Sequence, residues 1–247
     1  MKVTGKTNIG YVRRENQDAF VTGQTSSANA FAVVCDGMGG ANGGSIASEL
    51  AVRRISERLA ATDLDAVATD SLNYVFESAI AAANIDIFDT AKASPELSGM
   101  GTTLVAAVAT EQTLLVVHVG DSRAYLLTDE GLRQITKDHS VVQQLVEEGK
   151  LTETEAKHHP RKHFITRALG VEETVPHDSA ELSWGPGDIV LLCTDGLTNM
   201  VEDEEIARLM KENDPAEKLV EAALAAGGTD NITVCIIENE DRRDNNG

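Results

Sequence analysis

The 247 residues, 42% of them hydrophobic, suffice for one large domain or two small ones and exclude a disordered composition. Their 21 Lys and Arg against 40 Asp and Glu leave a formal charge of −19, which disfavours nucleic acid and anionic membrane surfaces as partners, because the phosphate-neutralising interaction turns repulsive. The longest apolar runs are strand-length, well short of the roughly 20 residues of a membrane span, and the N-terminal residues lack the apolar stretch of a secretory signal, so a soluble cytoplasmic protein is expected.

In chain order, the first notable segment is the polar loop Asn16-Gln17-Asp18, preceded by Arg13 and Arg14. Phe31-Ala32-Val33-Val34-Cys35 reads as a buried strand closed by Asp36, and Asp36-Gly37-Met38-Gly39-Gly40 then leads toward a helix. This glycine-rich turn allows three readings: a flexible strand-to-helix link, a loop whose Gly37 main-chain oxygen approaches a metal, or a nucleotide-binding loop. The third is disfavoured, because no Gly-Lys-Ser/Thr follows and the glycine spacing departs from the dinucleotide fingerprint. From Ser45 onward, Ile46, Leu50, Ile55 and Leu59 fall near one helical face. A second helix is predicted from Leu64 to Phe88, where Leu64, Val67, Leu72, Phe76, Ile80, Ala83 and Ile87 recur at helical spacing.

Residues 103–109, 113–119 and 123–128 are strand-like and separated by a few turn residues, which predicts an antiparallel meander with a further short strand at 132–135. Asp121 sits between the second and third of these runs. Residues 140–170 change character, with helical patterns at 141–148 and from Thr152, then the polar run Lys157-His158-His159-Pro160-Arg161-Lys162-His163. A mobile excursion near a site is expected here. Pro160 and the basic neighbours argue against a histidine metal cluster and for a solvated face; His118 reads as core and His139 as structural. Residues 188–194 and 231–237 are β-branched and apolar enough for burial on both faces. Asp195 closes the first and Asp230 precedes the second. A last helix at 214–226 stops at Gly227-Gly228, and the polar end of the chain is expected to fray. Strands grouped apart from helices point to α+β, with sheets inside and helices outside.

Cys35, Cys193 and Cys235 all lie in apolar runs, and an odd number so placed argues for small core residues in a reducing compartment rather than a disulfide framework. Asp36, Asp121, Asp195 and Asp230 lie where strand-like runs meet loops. Carboxylates gathered at low dielectric repel one another, so a common rim of them needs cations. Oxygen-only ligands select hard ions, Mg²⁺ or Mn²⁺, and a metal-dependent hydrolase is the implied class. On so acidic a chain, bound ions and one or two arginines would have to reverse the field locally for phosphate to approach.

Arg13-x-x-Asn16-Gln17-Asp18, Asp36-Gly37-Met38-Gly39-Gly40, Gly101-Thr102-Thr103, Gly120-Asp121-Ser122-Arg123, Asp138-His139-Ser140, Ile165-Thr166-Arg167-Ala168-Leu169-Gly170, Thr194-Asp195-Gly196-Leu197 and Asp230-Asn231 occur in this order. Each segment is weak alone; together they resemble the type 2C, metal-dependent protein serine/threonine phosphatases, in their compact single-domain bacterial branch, from about residue 3 to 238. The resemblance implies a four-layer αββα sandwich, two central antiparallel β-sheets flanked by helices. It further implies one catalytic domain over 1–240, with a flap at about 140–170 and a flexible tail at 241–247.

The same resemblance implies a binuclear Mn²⁺ or Mg²⁺ centre, with a third, weaker ion. Asp36 would bridge the two ions, Asp195 and Asp230 would complete one, and the Gly37 carbonyl would serve the other. Asp18 would act mainly through metal-bound water, and Asp121 with Asp195 would hold the third ion. Arg13 would clamp the substrate phosphate, a task suited to a bidentate guanidinium. The implied reaction is in-line attack of metal-activated water on phosphoserine or phosphothreonine, with no covalent phosphoenzyme. The implied partners are phosphorylated proteins and a cognate Ser/Thr kinase, for a monomer that uses neither nucleic acid nor membrane.

Two positions depart from the animal enzymes. Met38 stands where those carry a histidine proposed as general acid, and Gln17 replaces a metal-ligating glutamate. A thioether has no proton to donate. Two rivals stay open from sequence: a phosphopeptide binder without turnover, and a phosphatase of small phosphorylated metabolites.

Overall fold

The computed structural model describes residues 1–25, 29–40, 42–65 and 69–240. The predicted tail at 241–247, Ala41 of the glycine-rich turn and Val67 of the second predicted helix lie outside the described residues. The chain opens with β1 (Lys2–Asn8), β2 (Asp18–Gln24) and β3 (Ala30–Met38), then α1 (Gly43–Ala60) and α2 (Thr69–Ala93). Four strands follow on a short β4 (Gly101–Thr102): β5 (Leu104–Ala109), β6 (Thr113–Val119), β7 (Arg123–Thr128) and β8 (Gly131–Gln134). The excursion holds α3 (Val141–Glu147) and α4 (Glu153–Lys157), and the chain ends with β9 (Asp178–Ser183), β10 (Ile189–Cys193), α5 (Asp195–Thr198), α6 (Asp203–Leu209), α7 (Pro215–Ala225) and β11 (Ile232–Glu238).

The strands form two antiparallel sheets, one ordered β1-β11-β10-β7-β8 and the other β2-β3-β5-β6-β9 with β4 added beside β3. Strand alternation sorts the core into three apolar layers. On β3, Val33 and Cys35 face α1 and α2 while Ala30, Ala32 and Val34 face the opposing sheet. On β11, Ile232, Val234 and Ile236 face the α6–α7 side while Cys235 and Ile237 point between the sheets. The result is the αββα sandwich. The middle layer is rich in alanine, including Ala30, Ala32, Ala107, Ala109 and Ala124. The outer layers carry the bulk, such as Ile55, Leu59 and Phe76, each fully buried and each worth about 1.5–3 kcal/mol against exposure.

The innermost stripe of α1 is Ala47, Ala51, Ile55 and Leu59, with Ile46 and Leu50 displaced to its edge. Small residues at the start of the helix allow it to lie against β3 at the site end: a Cβ on Gly44 would meet Gln17 Oε1 at 2.5 Å and the Gly37 carbonyl carbon at 2.8 Å. The meander predicted for 103–128 does not form. β5 pairs β6, but β6 pairs β9 on its other side, and β7 lies in the opposite sheet between β10 and β8. The physical reason is packing. Leu115, Val117 and Val119 of β6 bury against α1 and α2, whereas Tyr125 and Leu127 of β7 bury against α6 and α7. The crossing is made at Gly120, whose φ of 104° suits glycine, and it leaves Asp121 between the two sheets.

The excursion is closed at its root by pairing of Ser140 with Ile165. Beyond it Ala168 and Leu169 return to the core, and Leu169 exchanges two backbone hydrogen bonds with Thr102. The three cysteines are free, buried, and distributed over the three layers. Among the described residues no helix is long and apolar enough to cross a membrane.

Candidate metal centre and active site

The carboxylates converge because of where their strands end. Asp18 and Asp36 stand opposite each other across the β2–β3 pair. Asp195 opens α5 directly after β10, Asp230 lies just before the neighbouring β11, and Asp121 occupies the crossing between sheets. A cavity of about 660 Å³ at this end of the sandwich is lined by Arg13, Asp36, Gly37, Asp121, Asp195 and Asp230, among others. Asp18 does not line it; it is buried behind the wall.

Glycines and small polar residues hold these segments together. A Cβ on Gly196 would meet the Asn231 carbonyl oxygen at 1.9 Å, so only glycine after Asp195 lets α5 reach the Asp230–Asn231 loop. A Cβ on Gly37 would meet the carbonyl oxygens of Gly44 and Gln17 at 2.0 and 2.6 Å. Gly37 can thus present only main chain to the cavity. Thr103 N–H and the Thr102 hydroxyl donate to the Asp36 carbonyl, Asp36 N–H donates to Thr103 Oγ1, and that hydroxyl pairs with Ser122 Oγ at 2.7 Å. This ladder fixes the Asp36 backbone to the segment that carries Asp121.

Asn231 has a role that sequence reading missed. Its Oδ1 accepts from Gln17 N–H at 2.8 Å, and its Nδ2 donates to the carbonyls of Ile9 and Glu15 at 2.9 and 3.0 Å. One amide therefore pins the whole loop that bears Arg13. The signal available was its place beside Asp230, since an asparagine before an apolar strand reads otherwise as an ordinary turn residue.

The electrostatics of the cavity are unbalanced. Burial, then the charges of Asp18, Asp195, Asp121 and Asp230, push the Asp36 carboxyl well above the ordinary carboxylate range. Burial followed by Asp195 and Asp138 raises Asp121 to about 8. Asp18 is raised to about 7 by burial, despite accepting hydrogen bonds on Oδ2 from Thr233 at 2.7 Å and Thr194 at 3.0 Å. Its Oδ1 is buried with no hydrogen-bond partner. Arg13 is the internal counter-charge: its Nη2 donates to Asp230 Oδ2 at 2.6 Å, which raises its own pKa. One guanidinium cannot neutralise the set. Raised carboxyls, an orphaned carboxylate oxygen and a main-chain position kept free of side chain together fit divalent cations held by oxygen.

Met38 also lines the cavity, and its thioether offers no acid. His163 lines it too, with Nδ1 3.9 Å from Asp195 Oδ2, so this histidine of the excursion is turned to the site rather than only to solvent. Asn199 Nδ2 donates to the same Asp195 oxygen at 2.9 Å.

A second titratable cluster lies elsewhere. Potential ligand atoms of His118, His139 and Asp178 fall within 4.8 Å of one another. The two imidazoles are stacked, however, with centroids 4.5 Å apart and planes at 19°, so their nitrogens do not converge on a point. Arg167 already supplies the positive charge: its Nη1 donates to Asp178 Oδ1 at 2.8 Å and lies 3.1 Å from His139 Nε2. His139 Nδ1 accepts from Gly120 N–H at 3.1 Å. Burial lowers the pKa of both histidines. This cluster is a finished structural unit.

Comparison with known proteins agrees with that geometry. A family profile described as protein phosphatase 2C matches residues 11–227. A serine/threonine phosphatase, stp, of Listeria innocua is 37% identical over 237 residues, which are 94% of each chain. The crystal structure of the Mycobacterium tuberculosis serine/threonine phosphatase PstP/Ppp superposes with a TM-score of 0.88 at 36% identity, over 97% of this chain and 99% of that one. The catalytic domain of serine threonine protein phosphatase PstP, solved in complex with 2 manganese ions, superposes with a TM-score of 0.82 at 36% identity, over 95% of this chain and 96% of that one.

Proposed function

The chain belongs to the protein phosphatase 2C family, and from that premise we propose a metal-dependent protein serine/threonine phosphatase that acts on phosphoserine and phosphothreonine in proteins. The observation that carries this reading is one cavity walled by Asp36, Asp121, Asp195 and Asp230, with Arg13 bound to Asp230 among them. We further assign Asp36 as the bridge between two ions, Asp195 and Asp230 as ligands of one, and the Gly37 main chain as a ligand of the other. Asp18 would act from behind through water, and Asp121 with Asp195 would hold a third ion more weakly. Two Mn²⁺ or Mg²⁺ ions, when bound, lower the pKa of water and neutralise charge on the transferring phosphoryl group.

The chain's own residues do the rest. Arg13 spends one N–H on Asp230 and keeps the remaining donors of its fork for phosphate oxygens. Asp230 in turn fixes the guanidinium, so a phosphate meets a preset donor rather than a mobile one. Met38 gives no proton, so the proton for the leaving serine or threonine oxygen would come from water held by the ions. A protein kinase that writes the marks this enzyme removes is the implied partner, and a monomer in the cytoplasm is the implied setting. Three buried free cysteines support a reducing compartment.

The test is hydrolysis of a phosphothreonine peptide with and without Mn²⁺, alongside sugar phosphates and the Asp195→Ala variant. Activity is expected to require the ion, to stop with chelator and to be lost in the variant. Turnover of sugar phosphates without turnover of phosphopeptides would replace the protein phosphatase with a metabolite phosphatase.

A further inference from the structure

Three basic side chains line the cavity: Arg13, Arg14 and His163. Arg13 is bound to Asp230, and His163 faces Asp195. Arg14 differs from both. Among the described residues it is paired with no carboxylate, and it is exposed at the mouth. Glu15, adjacent in sequence, is engaged elsewhere: it accepts from Ser45 Oγ at 2.9 Å on one oxygen and from Gln17 Nε2 at 3.4 Å on the other. The backbone beneath is fixed by the amide of Asn231 at the Glu15 carbonyl and at Gln17 N–H, and by the Ser48 hydroxyl at the Gln17 carbonyl. A free guanidinium on a pinned loop is an unfilled half of an ion pair.

We propose that Arg14 is a specificity-determining residue that binds a second anionic group, a carboxylate or a second phosphate, carried beside the phosphorylated residue of the protein substrate. This rests on the phosphatase reading above. The chain carries a charge of −19, so an acidic flank is otherwise repelled on approach. Arg14 places positive charge on the same cavity wall as Arg13, within reach of a group carried beside the phosphate. A planar five-donor fork accepts a carboxylate or a phosphate in two-point contact. Lysine at this position would keep the charge and lose the two-point contact.

The experiment compares the wild type, Arg14→Gln and Arg14→Lys with Mn²⁺ present, on phosphothreonine peptides of equal length whose flank is neutral, glutamate-bearing or phosphoserine-bearing. p-Nitrophenyl phosphate, which has no flank, serves as reference. The wild type is expected to favour both anionic flanks. Arg14→Gln lowers kcat/KM on the glutamate peptide about fivefold, and more on the doubly phosphorylated one, through KM. It leaves the neutral peptide and p-nitrophenyl phosphate within about twofold, and Arg14→Lys recovers part of the preference. The relative sizes of the two losses identify carboxylate or phosphate as the preferred neighbour. Equal hydrolysis of all three peptides by the wild type, or an equal loss on every substrate in Arg14→Gln, overturns the assignment while leaving the phosphatase reading intact. Hydrolysis of p-nitrophenyl phosphate with no peptide turnover overturns both.

Discussion

The carboxylate cavity and the His118–His139–Asp178–Arg167 cluster are built from the same kind of titratable side chain, yet their charges close differently. In the second, Arg167 sits against Asp178 and beside His139, and the imidazoles are stacked, with burial disfavouring their charged forms. In the first, four aspartates line the cavity with Arg13 bound among them, and an oxygen of Asp18 has no partner behind it. A gathering of ligand-type residues is therefore not by itself a metal site. What distinguishes the cavity is charge that the protein leaves uncompensated.

The strongest way to break the contrast is Asp36→Asn. It should lower phosphopeptide hydrolysis by about a thousandfold and abolish uptake of two Mn²⁺ ions in calorimetry; near-normal turnover would show that the cavity does not work through this carboxylate. The next is pH. Asp18 and Asp121, raised to about 7 and about 8, still hold protons in the folded state that the unfolded chain has released. Their contribution to metal-free stability is thus full below the ordinary carboxylate range and is lost progressively as pH climbs from there to those values.

The histidine pair has the opposite sign. Its pKa values lie below 6.5, so its contribution is lost as pH falls through that region. Between about pH 6.5 and 8 the histidine pair no longer opposes the carboxylates, and His163, raised by its contact with Asp195, loses its contribution in the same direction as they do. Metal-free protein should melt progressively lower across that window, with Mn²⁺ removing the trend. A flat or rising melting temperature under chelation would contradict it. The smallest effect is expected from Arg167→Gln. It should cost about 1 kcal/mol in denaturant unfolding and leave Mn²⁺ stoichiometry unchanged; an additional ion bound by the variant would show that the second cluster was a masked metal site.

Much of the cavity was legible from residue order, because an aspartate that abuts a buried apolar strand has no packing reason to be there. Asp36, Asp195 and Asp230 stand out on that ground, and the glycines after the first two are explained by close backbone approach. The division into two sheets was not legible. β6 and β7 have the same apolar pattern and are separated by three residues, and nothing local says that their outward faces meet different helices. β9 was missed because its exposed residues outnumber its half-buried ones, as befits an edge strand. The pinning role of Asn231 depends on carbonyls more than 200 positions away in sequence.

The alanine-rich layer between the sheets has a consequence beyond stability. Asp36 belongs to one sheet, while Asp195 and Asp230 border strands of the other. The span between opposite jaws of the site is therefore gauged by methyl groups lying well away from solvent. Ala32 and Ala107, which no substrate touches, work as shims, and a bulkier side chain there would reset the bite of the enzyme before it disturbed any residue within its mouth.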